Sequence, residues 1–379
     1  MRRIGIFCFY DNDGVVDSYI DYLLQEIVSV VDRIIIVVNG KLTEIGKCIF
    51  LKYSDEIVVR DNIGFDAGAY ADILLYYLSE RDLSEYDELV LCNDTFYGPF
   101  VPMKTIFDST DKESIDFWGM NFCDKGALTH IQSYFLVFKK KILRSGDLLY
   151  YFRNNISIFE KDINNVYGLI EPGLWKYLTE KEYQYATYTN TELLDAYQYA
   201  HICIQRYGLP ILKRKSFSPK YFDMETQILT LQYIHNETEY DINNILENAK
   251  RCYGFLLSKN DVLNHECCVT RTVNRAARAK SSDELLKSVE GKDFYIYGAG
   301  IIARGLVQIL FLKEMRLKGF IVSDDQPIEE EQLFNLPVKH YHEIPLNSTI
   351  IIGVSNMLAI DIREKIGSSH STISIWETK

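Results

Sequence analysis

The sequence contains no apolar run approaching the ~20 residues needed to cross a bilayer, so no membrane span is expected. Its opening, "MRRIGIFCFYDND", is basic, but the apolar stretch behind it is too short for a secretory signal. Basic charge is in deficit, with 41 Lys and Arg against 53 Asp and Glu and a net charge of −12. A nucleic-acid binder carries the opposite imbalance, so no nucleic-acid partner is expected. The eight cysteines include no C-x-x-C pair, the usual zinc signature. The one dense cluster, His265–Cys268 ("HECC"), sets its ligands side by side, which a single tetrahedral site accommodates poorly. Cys8, Cys48, Cys92 and Cys203 lie in apolar segments and read as reduced, buried thiols of a cytosolic protein. Internal repeats and low-complexity tracts are lacking too.

What is present is ample apolar material. The 379 residues are 47% hydrophobic, more chain than one core normally absorbs, so two domains are expected. The 27 tyrosines are half-polar rings that pack in cores and also line carbohydrate sites. "RIGIFCFYD" (3–11), "DRIIIVVNG" (32–40), "DEIVVR" (55–60) and "YDELVLCND" (86–94) read as strands, and the β-branched run at 32–40 suits a parallel strand covered on both faces. Between them, 15–31 and 67–80 carry helical spacing. The alternation predicts a doubly wound α/β domain, with ligands past the carboxyl ends of the strands. Strands are expected again at 114–122 and 133–140. Helices are expected from "ILRSGDLLYYFRNN", at 171–183, at 191–208 and across 224–256, and "LPILKRKSF" (209–217) reads as a connection.

Four places at that rim carry candidate chemistry. In "RDNIGFDAG", Gly64 and Gly68 flank Asp66 at a strand-to-helix junction. Glycines there let backbone N–H groups approach a ligand, and the helix start favours anions. The alternative is a tight turn with Asp66 capping the helix. "LCNDTFYGPF" ends a buried strand in Asn93-Asp94, placed either to hold a divalent cation against a diphosphate or to close an Asx turn. His130, in "THIQSYF", is a structural histidine or a ligand contact, with Gln132 and Ser133 beside it as donors. Glu171, in "IEPGLWKYL", opens a helix, where a carboxylate is electrostatically ordinary.

Taken in order, "VDSYIDYLL", "DRIIIVVNG", "RDNIGFDAGAYADIL", "YDELVLCNDTFYGPF", "DFWGMN", "HIQSYFLVF" and "GLPILKRKSF" resemble the rhamnan synthesis protein F family over residues 1–250. The resemblance implies a GT-A-like, Rossmann-related domain over 1–225, a nucleotide-sugar glycosyltransferase of bacterial surface-polysaccharide synthesis. It implies inverting transfer from a nucleotide-sugar, dTDP-rhamnose, to a lipid-linked glycan. Asn62, Gly64, Asp66 and Gly68 then belong to the donor site. Asp94 matches the last carboxylate of the Asp-x-Asp motif that holds Mg²⁺ or Mn²⁺, with Cys92 where the first acid would stand. The expected catalytic residues are Glu171, as general base, and His130. Lys213, Arg214 and Lys215 read as a solvated basic turn, as an aid to phosphate binding, or as the contact for a lipid-diphosphate acceptor at an anionic membrane. The implied location is the cytoplasm, at the inner face of the membrane in peripheral association.

A second α/β signature follows a helical bridge over 226–290. In 291–379, "YIYGAGIIARG" sets Gly298, Gly300 and Ala303 in a G-x-G-x-x-A turn between a strand and a helix. Asp324 and Asp325 end the next strand at the distance of a ribose contact. This predicts a small Rossmann-like nucleotide-binding domain. Two other readings stay open: a dinucleotide-dependent oxidoreductase built on this turn, and a noncatalytic protein of sugar-nucleotide sensing or assembly, which Cys92 in the acid's place favours.

Overall fold

The computed structural model describes residues 1–78, 80–112, 114–123, 129–191, 196–197, 199–219, 224–265, 282–300, 302–304, 306–307, 316–354 and 356–375. The chain divides into two compact units, Met1–Phe222 with Ile234–Lys259, and Asp223–Tyr233 with Asn260–Lys379. The segment read as a bridge is thus shared out: 234–259 groups with the first unit and the remainder with the second.

In the first unit, β1 (Arg3–Phe9), β2 (Arg33–Asn39), β3 (Ile57–Arg60) and β4 (Glu88–Asn93) form the parallel half of a mixed sheet, in the order β3-β2-β1-β4. β1, β2 and β4 are continuous apolar runs because both faces are covered, whereas β3, at the sheet edge, is half-buried with Val59 exposed. Ile35, Ile36, Val37 and Val38 are all fully buried although successive side chains point to opposite faces. Each such side chain stabilises the fold by about 1.5–3 kcal/mol. The helix Phe65–Asp72 packs Ala67, Tyr70 and Ala71 into the core under one face.

The short β5 (Phe96–Tyr97) follows β4. The sheet then continues with β6 (Phe117–Cys123), β7 (His130–Ile131), β8 (Phe135–Lys139) and β9 (Tyr185–Asn190). β8 lies antiparallel between β4 and β6, β7 pairs antiparallel with the end of β6 along the same edge as β8, and β9 runs parallel to β6 along its other edge. A parallel half continued through reversed strands is the GT-A-like α/β arrangement expected. β10 (Leu212–Lys213) pairs antiparallel with β5, outside the main sheet. The connection expected at 209–217 therefore contains a strand, and this strand decides the chemistry of the rim. The helix expected over 191–208 is described only as Ala200–Tyr207.

The second unit holds β11 (Phe294–Tyr297), β12 (Leu317–Val322), β13 (Gln332–Leu333), β14 (Leu336–His340), β15 (Thr349–Ile352) and β16 (Ser371–Ser374), in the order β13-β14-β12-β11-β15-β16. All neighbours are parallel except the β13–β14 hairpin. The chain starts in the middle at β11 and winds outward both ways, the Rossmann-like pattern, with its switch point between β11 and β15.

Candidate active site

The carboxyl ends of β2, β3 and β4 are occupied by polar side chains that bind one another. Asn39 ends β2 and donates to the Phe65 carbonyl at 2.9 Å. Arg60 ends β3 and bridges Asn39 Oδ1 (2.8 Å), Asp72 Oδ2 (2.6 Å) and the Ile63 carbonyl (2.9 Å). This arginine, with no motif around it to mark it, anchors the turn that leads into the helix Phe65–Asp72. Asn62 lies half-buried in the same turn.

The two glycines of that turn meet the conformational and steric demands of a tight turn. Gly64 is the N-cap of the helix at φ 75°, a left-handed conformation. Its N–H donates to the Glu160 carbonyl at 2.7 Å, and a Cβ on it would lie 2.9 Å from the Ser157 carbonyl oxygen. A Cβ on Gly68 would lie 2.9 Å from the Ile63 carbonyl oxygen. What comes close to both glycines is the protein's own backbone, at 157–160 and in the turn itself.

Asp66 does face the rim. Its Oδ1 accepts from the Ala67 N–H (2.9 Å) and its Oδ2 from Asn93 Nδ2 (2.8 Å). Burial raises its carboxyl above the ordinary value, against those two bonds. Asn93, at the end of β4, closes an Asx turn by accepting from Thr95 N (3.2 Å) and Thr95 Oγ1 (2.7 Å). Lys213 donates to the same Thr95 hydroxyl at 2.7 Å, with its ammonium 4.0 Å from the centroid of the Tyr134 ring. Asp66, Asn93, Thr95 and Lys213 thus form one continuous chain of hydrogen bonds. Burial pulls the Lys213 ammonium down to about 8, while Glu171, Asp66 and Asp94 act to keep it charged.

Asp94 is 4% exposed and belongs to Arg214. The guanidinium meets Asp94 Oδ2 at 2.8 Å and the Asp94 carbonyl at 3.2 Å, and lies over the Tyr19 ring. The Arg214 amide is itself fixed to the Thr95 carbonyl, beside the β5–β10 pairing. The solvated-turn reading of Lys213 and Arg214 is therefore overturned, and only Lys215 of the three is exposed.

This donor set does not fit Mg²⁺ or Mn²⁺. An ion bound at ~2 Å from Asp94 would sit about 5 Å from the guanidinium, a repulsion of about 7 kcal/mol at an effective dielectric of 20. Cys92, in the place of the first acid, is buried beside its neighbour's carbonyl, and burial holds its thiol well above the ordinary value. Among the described residues, no three His, Cys, Asp or Glu side chains are disposed around a common metal position. The "HECC" cluster lies beyond the described residues from Glu266 onward. Of the thiols expected to be buried, Cys48 is exposed.

Glu171 sits on a single π-helical turn, Leu169–Gly173, that leads into the helix Leu174–Glu180. Pro172 supplies no N–H there, and widened turns of this kind recur at functional sites. Tyr151 braces the turn by donating to the Leu169 carbonyl at 2.7 Å. The Glu171 carboxylate accepts from Ser133 N (3.0 Å) and Ser133 Oγ (2.9 Å) at Oε1, and lies 3.0 Å from His130 Nε2 at Oε2. Burial pushes its carboxyl up, but the His130 and Ser133 bonds outweigh it and leave it below the ordinary value. His130 is fully buried on β7, behind Glu171, with Tyr167 packed edge-on against its ring. From there it can orient the carboxylate.

In the second unit the two glycines part company. Gly298, at φ 114°, gives its N–H to the Ile321 carbonyl (2.8 Å), and its Cβ position is taken by the Gly353 carbonyl at 2.8 Å. A Cβ on Gly300 would meet nothing within 4 Å, which leaves that backbone open. Asp324 is engaged by His342, accepting its N–H at 3.0 Å and facing its Nδ1 at 2.9 Å. A cleft of about 160 Å³ lies there, lined by Tyr297, Ser323, Asp324, Asp325, Tyr341 and Lys365 among others.

A family model described as "Rhamnan synthesis protein F" matches residues 34–280. The "Virulence protein VirA" of Vibrio anguillarum (strain ATCC 68554 / 775) is 29% identical over 182 residues, 48% of this chain and 57% of that protein. The chain therefore spans little more than half the length of this curated relative. Among solved structures, glucosyl-3-phosphoglycerate synthase from Mycobacterium tuberculosis, in complex with Mg²⁺ and uridine-diphosphate, superposes at a TM-score of 0.29 and 14% identity, over 55% of this chain and 80% of that one. The 4-diphosphocytidyl-2C-methyl-D-erythritol synthase from Anaerococcus prevotii DSM 20548 does so at 0.31 and 11%, over 49% and 87%.

Proposed function

Because the chain belongs to the rhamnan synthesis protein F family, we propose that its first unit is a glycosyltransferase, transferring a sugar from a nucleoside diphosphate donor to an acceptor hydroxyl with inversion. Supporting this reading above all is the position of Glu171. It is a carboxylate held by His130 and Ser133, within electrostatic reach of Lys213 and Asp66 at the carboxyl edge of the sheet. As general base it takes the acceptor proton, a contribution of about 10²–10⁴-fold. His130 and Ser133 fix the carboxylate so that it stays ionised and aimed. The finer reading is that the donor is dTDP-rhamnose and the acceptor a lipid-linked glycan of a surface polysaccharide, met at the inner face of the membrane. No described helix is long and apolar enough to cross a membrane. The second unit is read as an accessory nucleotide-binding domain.

Nucleoside diphosphate release from dTDP-rhamnose, UDP-sugars and GDP-sugars, with and without glycan acceptors, tests this. Release by the wild type that is lost in Glu171→Gln supports it. Absence of release and of donor binding across the panel would sink it.

A further inference from the structure

We propose that Lys213 and Arg214 replace the divalent cation in this site, so that the donor diphosphate is bound and its departure assisted without a metal ion. The inference rests on the reading of the rim as a donor site and concerns how that site handles charge.

Three observations carry it. The strand-end position that would hold a cation has one acid, Asp94, and Cys92 in place of the other, so a single negative charge remains there. That charge is met by Arg214, 14% exposed as a side chain, through Oδ2 and again through the Asp94 carbonyl. The cations are also built in. β10 pairs with β5, and the Arg214 amide bonds the Thr95 carbonyl at 3.0 Å, so both cations are fixed to the turn that leaves β4. A side chain bonded this way is a permanent component of the site, whereas an ion must be recruited to it.

Both cations retain capacity for a ligand. Lys213 is half-buried and gives one of its three protons to Thr95 Oγ1. The Arg214 Nε–H is buried without an acceptor, while Nη2 lies 3.9 Å from the sulfur of Cys252 and the Tyr253 hydroxyl is another neighbour of the guanidinium. A planar guanidinium and an ammonium, both fixed to the Asp94–Thr95 turn, suit the spread of charge on a diphosphate. Glu171 lies within electrostatic reach of Lys213.

The step balances without another reactant. The acceptor oxygen forms a bond to the anomeric carbon as its proton passes to Glu171. The bond from that carbon to the diphosphate oxygen breaks, and its electron pair leaves on the nucleoside diphosphate. Lys213 and Arg214 meet the charge that develops on the leaving group.

The test is calorimetric binding of dTDP, UDP and GDP to the full chain, first in EDTA and then with Mn²⁺ or Mg²⁺ in excess. At least one diphosphate should bind in EDTA, with an affinity that added metal leaves unchanged. Lys213→Met should weaken it by about 10–100-fold, the loss of one charge-assisted hydrogen bond. Lys213→Arg should restore most of it, and Lys215→Met, at the exposed neighbour, should leave it unaltered. Melting curves confirm that each variant folds. Binding that vanishes in EDTA and returns with Mn²⁺ overturns the inference and leaves the glycosyltransferase reading standing. An equal loss in Lys215→Met reduces the effect to general surface charge and also overturns it. If no diphosphate binds in either condition, the donor-site reading falls and this inference with it.

Discussion

Replacing Arg214 with Met asks whether the rim is built around an ion pair or around a vacant metal position. The guanidinium keeps an N–O distance of 2.8 Å to Asp94, with both side chains largely buried. With charge centres about 4 Å apart, the attraction is about 4 kcal/mol at an effective dielectric of 20. Removing one partner of such a pair costs about 3–5 kcal/mol, because the other is left buried and uncompensated. For a unit of this size that corresponds to a fall in Tm of about 6–20 °C. The loss should depend on pH with a definite sign. Burial already raises the Asp94 carboxyl to about 6 with Arg214 in place, so its ionisation opposes folding as pH rises from its ordinary value through 6. Without the guanidinium the folded-state value rises further. The instability of Arg214→Met should therefore be largest near neutrality and shrink toward about pH 5, where the folded variant takes up a proton. Adding Asp94→Asn should recover most of it, a coupling of about 2–3 kcal/mol in the double-mutant cycle. Asp94→Asn alone should be close to neutral, since it removes the burial cost of a carboxylate while orphaning the guanidinium. Thermal melting by circular dichroism in EDTA measures all four proteins. If Arg214→Met melts with the wild type, while Mn²⁺ raises the wild-type Tm and not that of Asp94→Asn, the pair is incidental and Asp94 is a metal ligand after all.

Three further outcomes are expected. Glu171→Gln should lower turnover by about 10²–10⁴-fold with donor affinity unchanged, as nucleoside diphosphate release and calorimetry together will read. Donor binding should weaken as pH rises through about 8, where Lys213 loses its proton, and Lys213→Arg should abolish that decline. Because the folded-state value of Lys213 lies below its ordinary 10.5, the same deprotonation relieves a folding penalty, so stability should rise over the window in which binding falls. Gly64→Ala should cost more than ~1 kcal/mol, since a left-handed φ of 75° is compounded by a Cβ 2.9 Å from the Ser157 carbonyl. The matching change at Gly300, which faces open space, should melt with the wild type.

The central parallel strands were legible because burial on both faces turns them into apolar words that need no partner to be recognised. "RIIIVVN" is one, and it forms β2 with only its first residue short of full burial. β9 was missed for the opposite reason: "YATYTN" is mostly half-exposed and polar, and becomes a strand by pairing with β6. The hairpin of β13 and β14 turns on Phe334 and Asn335, both at positive φ, where the sequence lacks the glycine that usually announces such a turn. β5 and β10 are two residues each, too short to carry a period at all.

That last failure explains the largest difference at the site. Glu171 and Asp66 could be named because they lie within unusual local words. Nothing local separates Lys213 and Arg214 from a solvated "KRK" turn. Their role comes from β10 meeting β5, which sets Arg214 against an acid 120 positions away in the chain. Yet one signal in the sequence was relevant. Cys92 in place of an acid lowers the charge at the end of β4 by one, and a site with one carboxylate is neutralised by one monovalent cation rather than by a divalent ion. A missing acid at a strand end is thus a reason to search the rest of the chain for a base that reaches it, and short basic runs that follow a helix ending in glycine, as "LPILKRK" follows Gly208 here, are where the search should begin.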